Sequence, residues 1–323
     1  MIDLAEELKN IKSTAIIGHV RPDGDCVGSC VGLYLYIKEY FPQVEMADVY
    51  LEETPQRFSF LRGTDQIKNS CGEDKVYDLV ICLDAGDEGR LGEAVKYLRT
   101  AGRSLCIDHH ISNTGYADEN YIVPEASSTS ELICRLLDPD RITKEMAEAL
   151  YMGIAHDTGV FQYSCTSPET MRIAGNLMEK GIDFSGIVEK TFFQKSYVQN
   201  QILGRALLES ILVLDGKCIF SAVRKKEMEF YQVTSEDLEG IVSQLRNTKG
   251  VEAAIFLYES GNQEYRASMR SNGNVDVCTV ASYFGGGGHK RAAGCTMQGT
   301  LHDVINNLTL HIEQQLTGEK EQQ

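Results

Sequence analysis

Histidine and aspartate crowd one short segment near the start of the chain, Gly18-His19-Val20-Arg21-Pro22-Asp23-Gly24-Asp25. Imidazole nitrogens and carboxylate oxygens are ligands for divalent ions. Pro22 and Gly24 make the segment a tight loop on which His19, Asp23 and Asp25 can converge. Asp84 closes an apolar run that begins at Val76, and a carboxylate at the tip of a buried strand must be solvated, paired or metal-bound. Asp87 is a rival, but it lies further into the loop. Asp108-His109-His110 ends a third run, so one imidazole can ligate an ion while its neighbour donates a proton. Asp157 follows His156 at the end of a helical pattern, where the negative end of the helix dipole calls for a positive partner.

Each group alone has an ordinary explanation: turn-forming acids, a helix cap, a surface histidine pair, a loop acid. Together, His19, Asp23, Asp25, Asp84, His109 and Asp157 are more ligands than one ion needs. Two ions sharing a carboxylate is the economical arrangement. Such a pair, about 3.5–4 Å apart, serves in-line displacement at phosphorus. The mixed nitrogen and oxygen set suits Mn²⁺ or a similar divalent ion.

The elements around these residues explain their placement. Thr14–Gly18, Val44–Leu51, Val76–Leu83 and Ser104–Ile107 are continuous apolar runs bounded by turn signals, as in a parallel sheet covered on both faces. Helical patterns over Ser29–Tyr40, Ser128–Leu137, Thr143–Ala155 and Pro168–Lys180 fill the connections. Ligands in such a fold lie at the carboxyl ends of the strands, where His19, Asp84 and Asp108 fall. Residues 184–210 read as a linker helix with a Lys/Gln-rich middle. Beyond it, Ile211–Leu214, Asp215–Gly216 and Lys217–Val223 predict a β-hairpin. Val251–Tyr258 and Tyr265–Arg270 predict strands, Val275–Phe284 and Leu301–Gln315 helices, and Thr317–Gln323 a frayed tail.

The second half has its own chemistry. Arg266, Ser268 and Arg270 alternate on one face of a predicted strand, and Arg suits bidentate phosphate contacts. Gly285-Gly286-Gly287-Gly288-His289-Lys290-Arg291 combines backbone N–H groups that can approach an anion closely with cationic donors. Gly287, Gly288 and His289 therefore join the substrate-binding candidates. Tyr116, Tyr283 and Phe284 are aromatics that could stack a base, although each fits a core role better.

Composition removes several classes of function. The balance of 31 Lys+Arg against 47 Asp+Glu gives −16, concentrated in residues 1–200, which argues against a protein that coats long nucleic acid. No apolar stretch approaches the ~20 residues of a membrane span, and Met1–Asn10 has no apolar signal region. Ten cysteines without a Cys-x-x-Cys read as reduced, mostly buried thiols, so a cytoplasmic protein is expected. The organisation expected is α/β: a parallel-sheet domain over residues 1–185, a helical linker over 186–210 and a smaller α/β domain over 211–323.

In their order, His19-x-x-x-Asp23-x-Asp25, Asp84, Asp108-His109-His110 and Asp157 resemble the DHH phosphoesterase superfamily. Gly286–His289 followed by Ala292-Ala293-Gly294 resembles the DHH-associated C-terminal domain. Within the superfamily the layout looks like the bacterial oligoribonuclease/pAp phosphatase group. RecJ-type exonucleases carry further domains, membrane-bound cyclic di-AMP hydrolases carry spans, and family II pyrophosphatases end in a different basic motif.

The resemblance implies two Mn²⁺ ions, one on His19, Asp23 and Asp84, the other on Asp25, Asp84, His109 and Asp157, with Asp84 bridging. It implies that His110 serves the leaving oxygen, and that Arg270, Gly287, Gly288 and His289 hold a terminal phosphate or nucleotide. It implies substrates such as short RNA oligonucleotides and pAp, with cyclic di-AMP or pApA as the alternative, and a homodimer as the assembly. A non-catalytic nucleotide-binding regulator is the remote alternative. One departure is Cys26, where small non-thiol residues are usual; a thiol there would make the enzyme oxidant-sensitive or metal-promiscuous.

Overall fold

The computed structural model describes residues 2–318 and divides into two compact units, Met1–Gln194 and Lys195–Gln323. The first unit is built on six strands: β1 Ser13–Ile17, β2 Met46–Tyr50, β3 Ile67–Lys68, β4 Leu79–Leu83, β5 Arg103–Asp108 and β6 Glu119–Ile122. All neighbours pair parallel, in the order β3-β2-β1-β4-β5-β6. The chain builds outward from β1 to β3, then returns to β4 on the other side of β1. The order therefore reverses between β1 and β4, and a crevice opens at their carboxyl ends.

The apolar alternation assigns the two faces. Ile16, Ile81, Leu83, Leu105 and Ile107 pack under the helices Gly24–Tyr40, Thr129–Leu136, Lys144–Asp157 and Pro168–Glu179. Ala15, Ile17, Val80 and Cys82 face the opposite way, against Tyr50, Tyr77, Tyr97 and Leu91. Two of the helices on the first face approach very closely. A β-carbon on Gly28 would collide with the carbonyl oxygen of Ala149, so glycine is needed where Gly24–Tyr40 crosses Lys144–Asp157.

The second unit has a mixed sheet: β7 Ile211–Val213, β8 Cys218–Val223, β9 Ala253–Gly261, β10 Glu264–Ser271, β11 Gly287–His289 and β12 Ala292–Gln298. Its order is β11-β12-β10-β9-β8-β7, with β8 and β9 parallel and the other pairs antiparallel. Helices Val277–Tyr283 and Leu301–Thr317 cover one face, through Val280, Val304, Leu308 and Ile312. Helices Tyr197–Leu208 and Ile241–Arg246 cover part of the other, through Ile202, Ala206, Ile241 and Leu245.

Parallel and mixed α/β units are thus present as expected, with differences in detail. The stretch 184–210 is not one continuous helix. Phe184–Val188 runs into a wider turn closed by Gln194 N–H on the Glu189 carbonyl, and a new helix starts at Tyr197 with Ser196 and Gln199 as a capping box. Part of the glycine run expected as a loop, Gly287–Gly288, is instead paired in β11. Short elements with little apolar periodicity, β6 and the helices Lys225–Tyr231 and Ile241–Arg246, were not foreseen. The expected frayed tail is helical through Thr317, and its last residues, 319–323, lie outside those described. All ten cysteines are free. Among the described residues no helix is long and apolar enough to cross a membrane.

Candidate active site

The strand register lines up the sheet's tips. Ile17 pairs with Cys82 and Leu83 pairs with Ile107, so His19, Asp84 and Asp108 follow in neighbouring strands at one edge. His19 is buried, and its Nε2 lies 3.5 Å from Asp84 Oδ2 and 3.7 Å from Asp23 Oδ1. Its Nδ1 lies 2.9 Å from the carbonyl of Val20 and 3.0 Å from Nη2 of Arg90. When Nδ1 donates to that carbonyl, Nε2 keeps its lone pair for an ion.

Asp23 caps the helix Gly24–Tyr40, with one carboxylate oxygen accepting from the N–H groups of Asp25 and Cys26. Asp25 is fully buried in the first turn of that helix, and its carboxylate also closes the start of another. It accepts from Thr129 N–H at 2.6 Å and Ser130 N–H at 2.8 Å, the open end of the helix Thr129–Leu136. Two helix N-termini therefore support one buried carboxylate.

Asp84 takes a left-handed conformation, φ 56°, directly after β4, while its N–H still bonds the Ile107 carbonyl at 3.2 Å. The turn aims its side chain into the crevice, where Thr129 Oγ1 donates to it at 3.1 Å and His109 Nε2 approaches to 3.5 Å. His109 Nε2 is also 3.1 Å from Asp157 Oδ2. This supplies the positive partner that a carboxylate at a helix C-terminus requires. The helix Lys144–Asp157 can reach in because Gly153 has no side chain: a β-carbon there would meet the Ser130 hydroxyl and sit 2.9 Å from Asp25 Oδ1. Behind Asp157 the chain makes a left-handed turn of three consecutive residues, Gly159, Val160 and Phe161. It is pinned by Val160 N–H on the Ala155 carbonyl and Phe161 N–H on Thr158 Oγ1.

Asp108 is wholly engaged elsewhere. Its Oδ1 accepts from His109 N–H at 2.8 Å and His110 Nδ1 at 2.7 Å, and its Oδ2 accepts from Asn113 Nδ2 at 2.6 Å. Asp108 thus orients His110 and is not among the residues facing the crevice with Asp84.

The electrostatics show that protons stand where cations are wanted. Burial and the neighbouring Asp84 and Asp157 push the Asp25 carboxyl well above its ordinary range. Burial pushes Asp157 up to about 6. Burial also disfavours the charged form of Asp84, but hydrogen bonds from His109 and His19 outweigh it and hold that carboxyl low. Burial would lower His109, yet Asp157 and Asp84 push it up to about 12. Charged histidines are balancing buried carboxylates, and divalent ions could replace those protons. Ligand atoms of Asp84, His109 and His110 lie within 4.8 Å of one another, as do those of Asp25, His109 and Asp157, and those of His19, Cys26 and Asp84. The donor set fits divalent ions.

Five of the six nominated ligands are drawn into these groups; Asp23 stands beside His19 but remains more exposed. In the second unit, Arg266, Ser268 and Arg270 share one face of β10, opposite the core residues Ala267 and Met269. Through β12 the register carries Gly287 and His289 onto that same face and turns Gly288 to the other. Sequence reasoning missed Thr129, Ser130, Asn113 and Arg90. Asn113, five residues after Asp108 in a loop, carried a local signal; Thr129 and Ser130 read only as a helix start.

Residues 13–154 match the DHH family, N-terminal domain, and residues 215–318 match the DHHA1 domain. The bifunctional oligoribonuclease and PAP phosphatase NrnA of Bacillus subtilis is 28% identical over 285 residues, covering 86% of this chain and 87% of that protein. The protein of the same description from Thermus thermophilus is 27% identical over 319 residues, covering 97% and 94%. The crystal structure of an exopolyphosphatase-related protein from Bacteroides fragilis superposes with a TM-score of 0.89 at 27% identity, covering 98% of this chain and 96% of that one.

Proposed function

Since the chain belongs to the DHH family and is a metal-dependent phosphoesterase, we propose that it degrades short oligoribonucleotides to mononucleotides and dephosphorylates pAp. The observation that carries this reading is the convergence of Asp25, Asp84, His109 and Asp157 around one crevice, with His110 held beside them by Asp108. Similarity to the Bacillus and Thermus proteins over most of the chain supports the substrate class.

In this reading two Mn²⁺ ions are held by His19, Asp23 and Asp84 and by Asp25, Asp84, His109 and Asp157. Bound there, the ions supply charge neutralisation at phosphorus and acidify the attacking water. The chain's own residues do the rest. Asp108 accepts a hydrogen bond from Nδ1–H of His110, which leaves Nε2 as the nitrogen that hands a proton to the departing oxygen. Burial lowers the His110 pKa, but the hydrogen bond to Asp108 raises it on balance, so the imidazolium needed for that donation is favoured. Asp25 contributes a carboxylate fixed by two N–H donors, so little reorganisation accompanies the reaction. Arg266, Ser268, Arg270, Gly287, Gly288 and His289 are assigned to the terminal phosphate or nucleotide, supported by five of the six sharing one sheet face.

Product analysis with Mn²⁺ on pAp, a short RNA series, pApA and cyclic di-AMP tests the proposal, beside an Asp84→Ala control. Mononucleotides from short RNA and phosphate from pAp, both lost in the control, are expected. Selective turnover of cyclic di-AMP or pApA would replace this substrate assignment with second-messenger clearance.

A further inference from the structure

Cys26 stands inside the cluster that would hold an ion, and nothing in the proposed reaction uses it. It is fully buried, and its Sγ forms a group with a ring nitrogen of His19 and a carboxylate oxygen of Asp84, all within 4.8 Å of one another. Among the described residues it is the only cysteine in such a group. Burial pushes this thiol well above its ordinary range, a cost that a cation bound at the site would offset. Two local features work the other way and favour negative charge on the sulfur. Cys26 lies in the first turn of the helix Gly24–Tyr40, and the backbone N–H of His19 points at Sγ from 3.2 Å. The strand end makes room for the sulfur: a β-carbon on Gly18 would collide with Sγ. The neighbouring Asp23 is 55% exposed, with Oδ1 accepting from two backbone N–H groups, so Cys26 is the more buried donor beside His19.

We propose that Cys26 is a ligand of the ion held at His19 and Asp84, so that this position is a nitrogen–oxygen–sulfur site. The proposal rests on the reading that the crevice binds divalent ions. Ligation exchanges the S–H bond for a sulfur–metal bond, and the proton leaves to solvent; no electrons are transferred. A thiolate is a soft donor, so this position favours Zn²⁺, Fe²⁺ or Co²⁺ over Mn²⁺ more than an all-oxygen and imidazole set would. The competing explanation is a packed thiol that accepts the His19 N–H and donates to the His19 carbonyl.

Cobalt distinguishes the two without any assay of activity. The full chain, stripped of metal, is titrated with Co²⁺ while bound cobalt is counted by elemental analysis and the spectrum is recorded. Wild type and Cys30→Ala, the latter removing the buried thiol one turn along the same helix, should both show a thiolate-to-cobalt charge-transfer band in the near ultraviolet. Cys26→Ala should lose the band while retaining the visible bands of bound cobalt. Loss of an outer partner of a ligand costs about 10–100-fold in metal affinity, so losing the ligand itself should weaken Zn²⁺ by at least that factor, and Mn²⁺ by less. Cobalt bound to wild type without the band overturns the proposal and leaves the metal reading intact. A band that survives in Cys26→Ala assigns it to another thiol and also overturns it. Failure of wild type to bind cobalt, zinc or manganese sinks the metal reading and the proposal together.

Discussion

Asp108 illustrates how one carboxylate can shape a site without facing it. It is buried, accepts four hydrogen bonds from His109, His110 and Asn113, and fixes the ring of His110 through Nδ1. Asp108→Asn keeps the size but removes the charge that favours the His110 imidazolium. General acid catalysis is worth roughly 10²–10⁴-fold, so kcat on short RNA should fall within that range while KM changes little. A KM rise with unchanged kcat in steady-state kinetics would show that His110 binds substrate without moving a proton. His19, Asp84 and Asp108–His110 were legible from sequence because they follow local apolar runs, Asp23 and Asp25 because they crowd one short segment with His19, and Asp157 because it ends a helical pattern. Their supports were not, because Thr129 and Ser130 meet Asp25 across more than a hundred residues of chain. No local pattern encodes that encounter.

At the scale of elements, the site depends on how closely helices approach it. The helix Lys144–Asp157 delivers Asp157 only because Gly153 leaves space for Ser130 and Asp25. Gly153→Ala would gain about 1 kcal/mol of helix propensity. The added methyl, however, meets the Ser130 side chain and a carboxylate pinned by two N–H groups, and overpacking typically costs about 1–3 kcal/mol. The second effect should win. Urea denaturation of the variant should give a lower midpoint with an unchanged slope, and metal affinity should drop as Asp25 is displaced. Equal or greater stability would mean that the two helices can separate at little expense. Sequence periodicity placed Thr129–Leu136, Lys144–Asp157 and Pro168–Glu179 within a residue or two, but it began the helix Gly24–Tyr40 five residues late, at Ser29, and left Asp25 in a loop. It did not foresee the short polar-rich strand β6 or the pairing of the glycine run in β11, where cross-strand partners rather than local pattern decide the structure.

Across the first unit as a whole, the crowded carboxylates and histidines make the metal-free protein sensitive to pH in a defined direction. Asp157 titrates near 6 in the folded chain, above the ~3.9 of an unfolded aspartate. His109 titrates near 12, above its ordinary ~6.5. Both groups therefore bind more protons folded than unfolded over the range they span, and stability falls as pH rises there. The metal-free chain should be more stable at about pH 5 than at about pH 8. Saturating divalent ion should flatten or reverse that slope, because ligation competes with those protons. Thermal melts across this range, with and without ion, test it. A metal-free protein that melts higher at the alkaline end would contradict the arrangement of charges described here.

The site gathers residues from position 19 to position 157, on three strand ends and two helix ends that meet only when the sheet order β1-β4-β5 is complete. Contacts so distant in sequence are among the slowest to form, because loop closure must precede them. The crevice is therefore a late product of folding, and an ion has nothing complete to bind until the chain has passed its main barrier. Added metal should then leave the refolding rate almost unchanged and slow unfolding instead, so that it acts as a latch on the finished unit and not as a nucleus for it.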